Sequence, residues 1–418
     1  MTETKYSGIA SIGEIPAHWR TYRIKSLLSL RSEKNSGDHD LLSVHLDRGV
    51  ISYNDSDGMQ VHKPSADLSN YQNVHVGDFV LNNQQAWRGS VGVSKYDGII
   101  SPAYFVFSLS DKCDPGYMNF LLRDGSMVQQ YETASRGVGT IQRNLYALWF
   151  YESLVALPPK DEQKTIAAFL SAKCAEIDAL TADIQTQINT LEQYKRSVIT
   201  ETVTKGLNPN SEMKDSGVFY MAPMNATWRL TKIGYICSKL SRSFAPEDTA
   251  LICSNKGKVQ VRADDLTGIM VSDDNAMQGI RSGDIAIHGM DTWHGAIALS
   301  EYDGKITRVV HVCDSTEDKR FVVYYMQHLA FQGVYKLISN GVRGNTSDFR
   351  SWDKVRDIWI AIPETKEEQA AICDYLDSQC TAVEEVIATK KEQLEVLGEY
   401  KKSLIFEYVT GKKEVPVS

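Results

Sequence analysis

The sequence predicts an α+β fold in which two mixed α/β globules are separated by an antiparallel coiled coil of two long, repeated helices, in a pseudo-twofold dumbbell. Three observations predict it. The 418-residue chain contains an internal repeat that is gapless along its long helical stretch, both copies include that amphipathic stretch, and each stretch follows short alternating apolar runs with glycine-containing turns. The predicted boundaries are 1–157 and 208–362 for the globules, and 158–207 and 363–418 for the helices with the C-terminal tail.

The two helices are predicted from apolar residues that recur at steps of three and four. The copies align without a gap, as in Gln163 with Gln369 and Tyr194 with Tyr400, which stand 206 positions apart. Two similar apolar stripes in one chain most simply bury each other. An antiparallel pair is favoured over a parallel one because pseudo-twofold symmetry follows from duplication. The predicted stripes are Ile166, Leu170, Cys174, Ile177, Leu180, Ile184, Ile188, Leu191, Tyr194 and Val198, and then Ile372, Leu376, Cys380, Val383, Ile387, Leu394, Leu397, Tyr400 and Leu404.

The repeat extends into the globules, where Trp87 aligns with Trp293 at the same shift. Alternating apolar segments such as 77–81 and 103–109 predict strands, whereas 115–132 has helical spacing. Each globule is therefore predicted to be mixed α/β with a curved, mostly antiparallel sheet. At each globule's end a proline and early carboxylates predict the beginning of the long helix.

Composition is that of a globular protein, with 42% hydrophobic and 23% charged residues. No apolar run approaches the roughly 18 residues that span a bilayer, and the first ten residues do not resemble a secretory signal, so a cytoplasmic location is expected. The seven cysteines form no C-x-x-C pair, which favours reduced core thiols. The net charge of −8 argues against a protein that coats nucleic acid, so any phosphate-facing surface must be a local patch.

Catalytic motifs are mostly absent. The chain has no G-x-x-x-x-G-K-[ST] loop, and the context of Pro158-Pro159 does not resemble an amino-methylating site. Asp357, Glu364 and Lys366 allow a metal-dependent nuclease to be considered, but helix-start electrostatics explains these charges better. The sequence therefore predicts a non-enzymatic chain that binds no metal.

An ordered set of motifs resembles the specificity subunits of type I restriction-modification systems. The resemblance covers nearly the whole chain, and several of the motifs recur 206 to 209 positions later. In the second copy the segments 341–348 and 219–223 depart from the pattern. The motifs are Ser7-Gly8-Ile9, Ile12 to Pro16, His18-Trp19, Gly137 to Asn144, Leu157 to Gln163, Tyr194 to Ser197, and Thr204-Lys205-Gly206.

The resemblance implies that each globule is a target recognition domain that reads one half of a split, asymmetric sequence in double-stranded DNA. It implies that the helices set the spacer between the half-sites. It also implies two modification subunits, which methylate adenine with S-adenosylmethionine, and restriction subunits that use ATP and Mg²⁺; this chain itself would bind no cofactor and no membrane. The alternatives are a structural or adaptor protein of a related DNA-modification or phage-defence complex, and a self-sufficient nuclease or methylase.

The candidate DNA-binding residues are those that can read base edges, because Arg pairs with guanine, and Asn or Gln with adenine, in the major groove. The shared Trp87 and Trp293 suit a structural role with variable neighbours, and a polar turn with Trp87 packed inward is the alternative for the first loop. A metal pair of His288 and His294 has little support. The candidates are Asn82, Asn83, Gln84, Gln85, Arg88, Arg136, Thr140, Gln142, Arg143 and Asn144, and in the second globule His288, Thr292, His294, Arg343, Asn345 and Thr346.

Overall fold

The computed structural model describes residues 3–35, 37, 39–56, 64–65, 67–138, 142–262, 276–339 and 348–416. Contacts divide the chain into two compact units. The first unit is Met1–Ile184 with Glu392–Ser418, and the second unit is Gln185–Lys391. In the described part of the chain no helix combines the length and the apolar character needed to cross a membrane.

The first unit is built on an antiparallel four-stranded sheet of strand order β4-β11-β8-β9, flanked by two-stranded ribbons. Trp19, Phe107 and Tyr117 are among its fully buried side chains. The strands are β1 (Thr4–Tyr6), β2 (Glu14–Pro16), β3 (Arg20–Arg23), β4 (Leu28–Arg31), β5 (Leu42–His45), β6 (Gly49–Ser52), β7 (Gln72–Val74), β8 (Phe79–Asn82), β9 (Val91–Val93), β10 (Gly98–Ile100), β11 (Tyr104–Leu109), β12 (Ser135–Val138), β13 (Gln142–Leu145) and β14 (Leu154–Leu157). The helices are α1 (Pro115–Arg123), α2 (Gly125–Thr133), α3 (Ala147–Tyr151) and the long α4 (Lys160–Lys205).

The second unit repeats this plan, with a four-stranded sheet of order β18-β25-β22-β23. The predicted antiparallel, mixed α/β globule is thus confirmed twice. The strands are β15 (Met213–Lys214), β16 (Met224–Asn225), β17 (Arg229–Lys232), β18 (Cys237–Lys239), β19 (Leu251–Ser254), β20 (Lys258–Val261), β21 (Met277–Ile280), β22 (Ile285–His288), β23 (Ile297–Leu299), β24 (Gly304–Thr307), β25 (Val310–Ser315) and β26 (Trp359–Ile362). The helices are α5 (Ile233–Ile236), α6 (Lys319–Phe331), α7 (Val334–Leu337), α8 (Trp352–Arg356) and the long α9 (Lys366–Val409).

Within each unit α4 and α9 pack antiparallel. In the first unit the Phe169 and Tyr408 rings lie 4.7 Å apart, and the Lys401 ammonium lies 2.5 Å from Asp178. As residue numbers increase along α4, the numbers of the residues that they contact in α9 decrease. The second unit has the matching ion pair between Lys195 and Glu384, at the positions 206 residues away. The antiparallel pairing predicted from duplication is confirmed.

Part of the predicted apolar stripe is wrong. Leu180, Tyr194 and Tyr400 are 47%, 51% and 55% exposed. In α4 the buried positions instead continue through Ile188 to Ile199 and Val203. Two helices that contact only each other bury a narrow stripe, whereas a helix against a globule buries a wider one, so residues at the edge of the stripe stay in water.

A buried glutamine joins each globule to the beginning of its long helix. Gln163 donates from Nε2 to the carbonyls of Lys112 and Pro158, both at 2.9 Å, and accepts from the Asp114 amide at 2.8 Å. Gln369 makes the equivalent bonds to the Asp318 amide at 2.9 Å and the Pro363 carbonyl at 3.1 Å. The glutamine of the repeated Glu-Gln pair therefore satisfies main-chain groups that the core would otherwise leave unpaired.

The glutamate of the same Glu-Gln pair accepts a hydrogen bond from a tryptophan of the globule. Trp19 donates from Nε1 to Glu162 at 2.9 Å, and Trp228 donates to Glu368 at 2.9 Å. Both indoles are buried. The sequence interpretation of these carboxylates as helix-start electrostatics was therefore incomplete, because they also hold the first strands of each globule against the helix.

Replacing Gln163 with Met is expected to destabilise the first unit by about 2–4 kcal/mol, because three main-chain groups, one of them in a buried bond, lose their partner. Urea unfolding of the full chain measures the loss, and hydrogen exchange locates it. Gln185→Met is the matched control on the exposed face of α4 and should change stability by less than about 0.5 kcal/mol. Equal effects of the two substitutions would contradict the role assigned to Gln163.

A histidine connects the second globule to α4. His328 is 4% exposed, and its Nδ1 lies 3.1 Å from the Thr200 hydroxyl. The edge of its ring faces Tyr325. Burial lowers the pKa of His328 to about 4, because the apolar surroundings disfavour the imidazolium. The folded protein therefore holds the His328 ring in its neutral form.

This burial predicts acid sensitivity of the second unit. Between pH 6.5 and 4 the unfolded chain binds the proton at this site and the folded chain does not, so the stability present above pH 6.5 falls as the pH drops towards 4. At pH 5 burial of the neutral His328 should lower the free energy of unfolding by about 2 kcal/mol relative to its value above pH 6.5. Denaturant unfolding at pH 7 and pH 5 measures this, and His328→Gln should remove that part of the dependence. An unchanged pH dependence in the variant would exclude His328 as its source.

Candidate nucleic-acid interface

The loop after β8 carries the first group of candidate residues. Asn82 accepts from the Gln84 amide at 3.1 Å, and Asn83 accepts from the Leu145 amide at 3.0 Å. These two amide side chains therefore hold the loop in shape. Gln84 and Arg88 are exposed and Gln85 is half-buried, so they remain available for a ligand. The loop is a polar turn in which Trp87 is half-buried and Gln84 and Arg88 stay exposed.

Trp87 is the platform for two arginines. The Arg88 guanidinium lies 5.1 Å and the Arg143 guanidinium 4.8 Å from the centre of its ring. Trp87 also donates from Nε1 to the Gln84 carbonyl at 3.1 Å. A guanidinium over an indole ring can still donate its N–H groups to other partners, as Arg143 does to Glu132 at 2.9 Å.

The β12–β13 hairpin adds a second stack. Arg136 lies 4.1 Å from the centre of the Trp149 ring, and Arg143 also pairs with Glu132 at 2.9 Å. Asn144 is exposed beside Arg136 in the ladder. Thr140 lies outside the described residues, and so does the side chain of Gln142, whose backbone is in β13. We call Trp87, Arg88, Arg136, Arg143 and Trp149 the stacked-arginine surface.

The sequence interpretation missed α3, which follows the hairpin directly. Phe150 is buried, whereas Tyr146, Leu148 and Trp149 are exposed. The run Ala147-Leu148-Trp149-Phe150-Tyr151 could have indicated these exposed side chains, because a helix this short cannot bury five consecutive apolar side chains.

The second unit differs at the equivalent place. His288 is largely buried and accepts from the Asp291 amide at 3.1 Å, and burial lowers its pKa. Thr292 is only 1% exposed, which contradicts its prediction as a base-contacting residue. His294 is exposed, and Lys336 lies 5.8 Å from the Trp293 ring. Arg343, Asn345 and Thr346 lie outside the described residues.

The described residues include no cluster of three or more His, Cys, Asp or Glu side chains that could hold a metal ion. Asp357, considered for a nuclease, is 3.0 Å from the Lys232 ammonium. All seven cysteines are free and buried, and burial raises the pKa of thiols such as Cys253 and Cys237. The arrangement that stands out chemically is therefore the cationic, aromatic surface of the first unit, on a chain whose net charge is −8.

The chain is similar to known proteins over almost its full length. It is 22% identical to the "Putative type I restriction enzyme MjaX specificity subunit" of Methanocaldococcus jannaschii, over 97% of this chain and 96% of that protein. A solved structure on complex assembly and conformational transition of the type I R-M system contains a chain that matches with a TM-score of 0.69 and 16% identity, covering 96% and 99% of the two chains. No protein-family model matches.

The resemblance to type I specificity subunits is confirmed. The HsdS subunit of Thermoanaerobacter tengcongensis also matches, at 17% identity and a TM-score of 0.48, over 96% and 98% of the two chains. The two copies of the framework differ in the exposed residues around Trp87 and around Trp293.

Proposed function

We propose that this chain selects the DNA target of a type I restriction-modification complex by reading two half-sites, one with each globule. One observation carries the proposal. The two units share their framework bonds, such as Trp19 to Glu162 and Trp228 to Glu368, yet carry different side chains on the equivalent surface. A repeated framework with divergent surfaces is what two readers of different sequences require.

The stacked-arginine surface is the proposed reader of the first half-site. Stacked guanidiniums suit both of the contacts that DNA recognition needs, which are phosphate contacts for position and bidentate bonds to guanine for sequence. The exposed amides of Gln84 and Asn144 beside them can pair with adenine. His294 and residues near it take the corresponding place in the second globule.

The long helices are proposed to fix the spacing between the half-sites. With 46 residues in α4 and 44 in α9, each helix is about 66–69 Å long at 1.5 Å per residue. The internal repeat keeps the two helices free of insertions relative to each other. A helix of fixed length converts residue number into distance along the duplex, where one turn is about 34 Å.

Repeated exposed side chains on the helices support docking of two modification subunits. Leu180 and Val386 stand 206 positions apart, and Tyr194 and Tyr400 are related in the same way, and all four are exposed. Apolar side chains left in water at matched positions of two helices suit two identical partners. In this proposal the modification subunits bind S-adenosylmethionine, the restriction subunits of the complex use ATP and Mg²⁺, and this chain catalyses no step.

Mapping adenine methylation tests the proposal. The full chain is expressed with the modification subunits encoded beside it in a host that lacks adenine methylation, and methylated positions are read across the genome. We expect one asymmetric motif made of two short sequences separated by a fixed number of unspecified bases. A continuous motif, or the same methylation without the chain, would refute it. Mg²⁺-dependent cleavage by the chain alone would favour a nuclease instead.

A further inference from the structure

Leu148 is an unusually exposed apolar side chain. It is 80% exposed at the second position of α3. Its neighbours Tyr146 and Trp149 are also exposed, and their rings lie 5.5 Å apart. Three adjacent large apolar side chains in water are costly unless a ligand covers them.

The helix that carries Leu148 is firmly mounted. Phe150 is fully buried, and its ring lies 5.8 Å from Phe107 and 5.7 Å from Tyr131 in the core. The Tyr146 amide donates to the Ala134 carbonyl at 2.9 Å, which fixes the beginning of the helix. Leu148 therefore projects from a helix that is anchored in the core, so it can displace a group that it contacts.

Its surroundings identify the occupant as DNA. Arg136 lies over the ring of Trp149, the residue next to Leu148, so the helix that carries the apolar tip also carries part of the stacked-arginine surface. A guanidinium beside this short helix can meet the negative phosphates that flank stacked bases. Leucine is one of the side chains that nucleic-acid-binding proteins insert between base steps.

We propose that Leu148 is a wedge that inserts at one base-pair step of the first half-site and partly unstacks it, with Tyr146 and Trp149 supporting its base. The inference rests on the proposed function and deepens it. At the equivalent place in the second unit, α8 precedes β26 as α3 precedes β14, but its second residue is the exposed Asp353. A carboxylate is repelled by the phosphates, so the distortion is confined to one half-site.

Fluorescence of 2-aminopurine tests the wedge, because this base brightens when it is unstacked. The probe replaces successive purines of the mapped target, other than the methylated adenines, in complexes of the full chain with its modification subunits. We expect a several-fold increase at one step of the first half-site. Leu148→Ala should remove at least half of that increase while both half-sites are still selected, and Leu148→Met should keep it. Leu46→Ala, at another exposed leucine of the same unit, is the matched control and should also keep it.

Three outcomes would overturn the wedge. The first is a wild-type complex that selects both half-sites with no brightening at any step. The second is brightening that survives Leu148→Ala. The third is a Leu148→Ala complex that only loses a preference for thymine, since this would indicate a methyl contact without unstacking. Failure of the proposed function looks different, because the wild-type complex would then select no bipartite site.

Discussion

Removing the two arginines Arg136 and Arg143 should abolish selection of one half-site and leave the other intact. Each good bidentate contact to a base is worth about 1–3 kcal/mol, so Arg136→Ala with Arg143→Ala should weaken binding by roughly 100-fold. Loss of two cations should also make the affinity less dependent on salt. Anisotropy titrations with duplexes in which one half-site is scrambled measure both effects.

The matched control is Lys112→Ala. Lys112 also places a cation over an aromatic ring of the first unit, 5.3 Å from the centre of Tyr22, but outside the stacked-arginine surface. This substitution should leave affinity within about two-fold of the wild type, because less than about 0.5 kcal/mol is expected at such a site. If it weakened binding as strongly as the double variant, the effect would be general electrostatics. If the double variant impaired both half-sites equally, the assignment of one reader to each half-site would be wrong.

Lengthening the long helices should change the spacer and nothing else. Four residues inserted after Gln187, with four more after Gln393 at the repeated position, add about one turn, or about 6 Å, to each helix. At about 3.4 Å per base pair, the preferred spacer should grow by one or two base pairs while both half-site sequences remain the same. Methylation mapping of cells that carry the insertions gives the result directly.

The control replaces Gln187 and Gln393 with alanine without changing helix length, and the original spacer should persist. Altered half-site sequences in the insertion variant would contradict the division of labour between helices and globules. An unchanged spacer with full methylation would show that helix length does not set the distance.

Most of the architecture could be predicted from the sequence because duplication leaves a signal that local propensity cannot mimic. Two copies of one pattern predicted two α/β units and two long helices, and duplication also favoured the antiparallel pairing. The edge of the apolar stripe was harder to predict, because periodicity ranks Tyr194 as a seam residue. Only the register of the helix pair shows that Lys195, and not Tyr194, faces α9, where its ammonium pairs with Glu384.

The candidate surface was predictable only in part. Residue type selected Arg88 and Arg136, which are exposed, and Arg143, which is half-buried and paired with Glu132. Type alone could not show that Thr292 is buried, because its burial depends on how the turn packs. Nor could it show that Trp149 supports Arg136, since that contact joins a strand to a helix that follows it.

The buried glutamine at each helix start has an evolutionary consequence. Gln163 forms hydrogen bonds with the carbonyls of Lys112 and Pro158 and the amide of Asp114. These are main-chain groups that almost any residue supplies. A foreign globule spliced in at this junction would need a tryptophan for Glu162 but no particular side chain for Gln163. If the globules read DNA as proposed, recombination could exchange them, and their specificities, without compensating changes in the long helix.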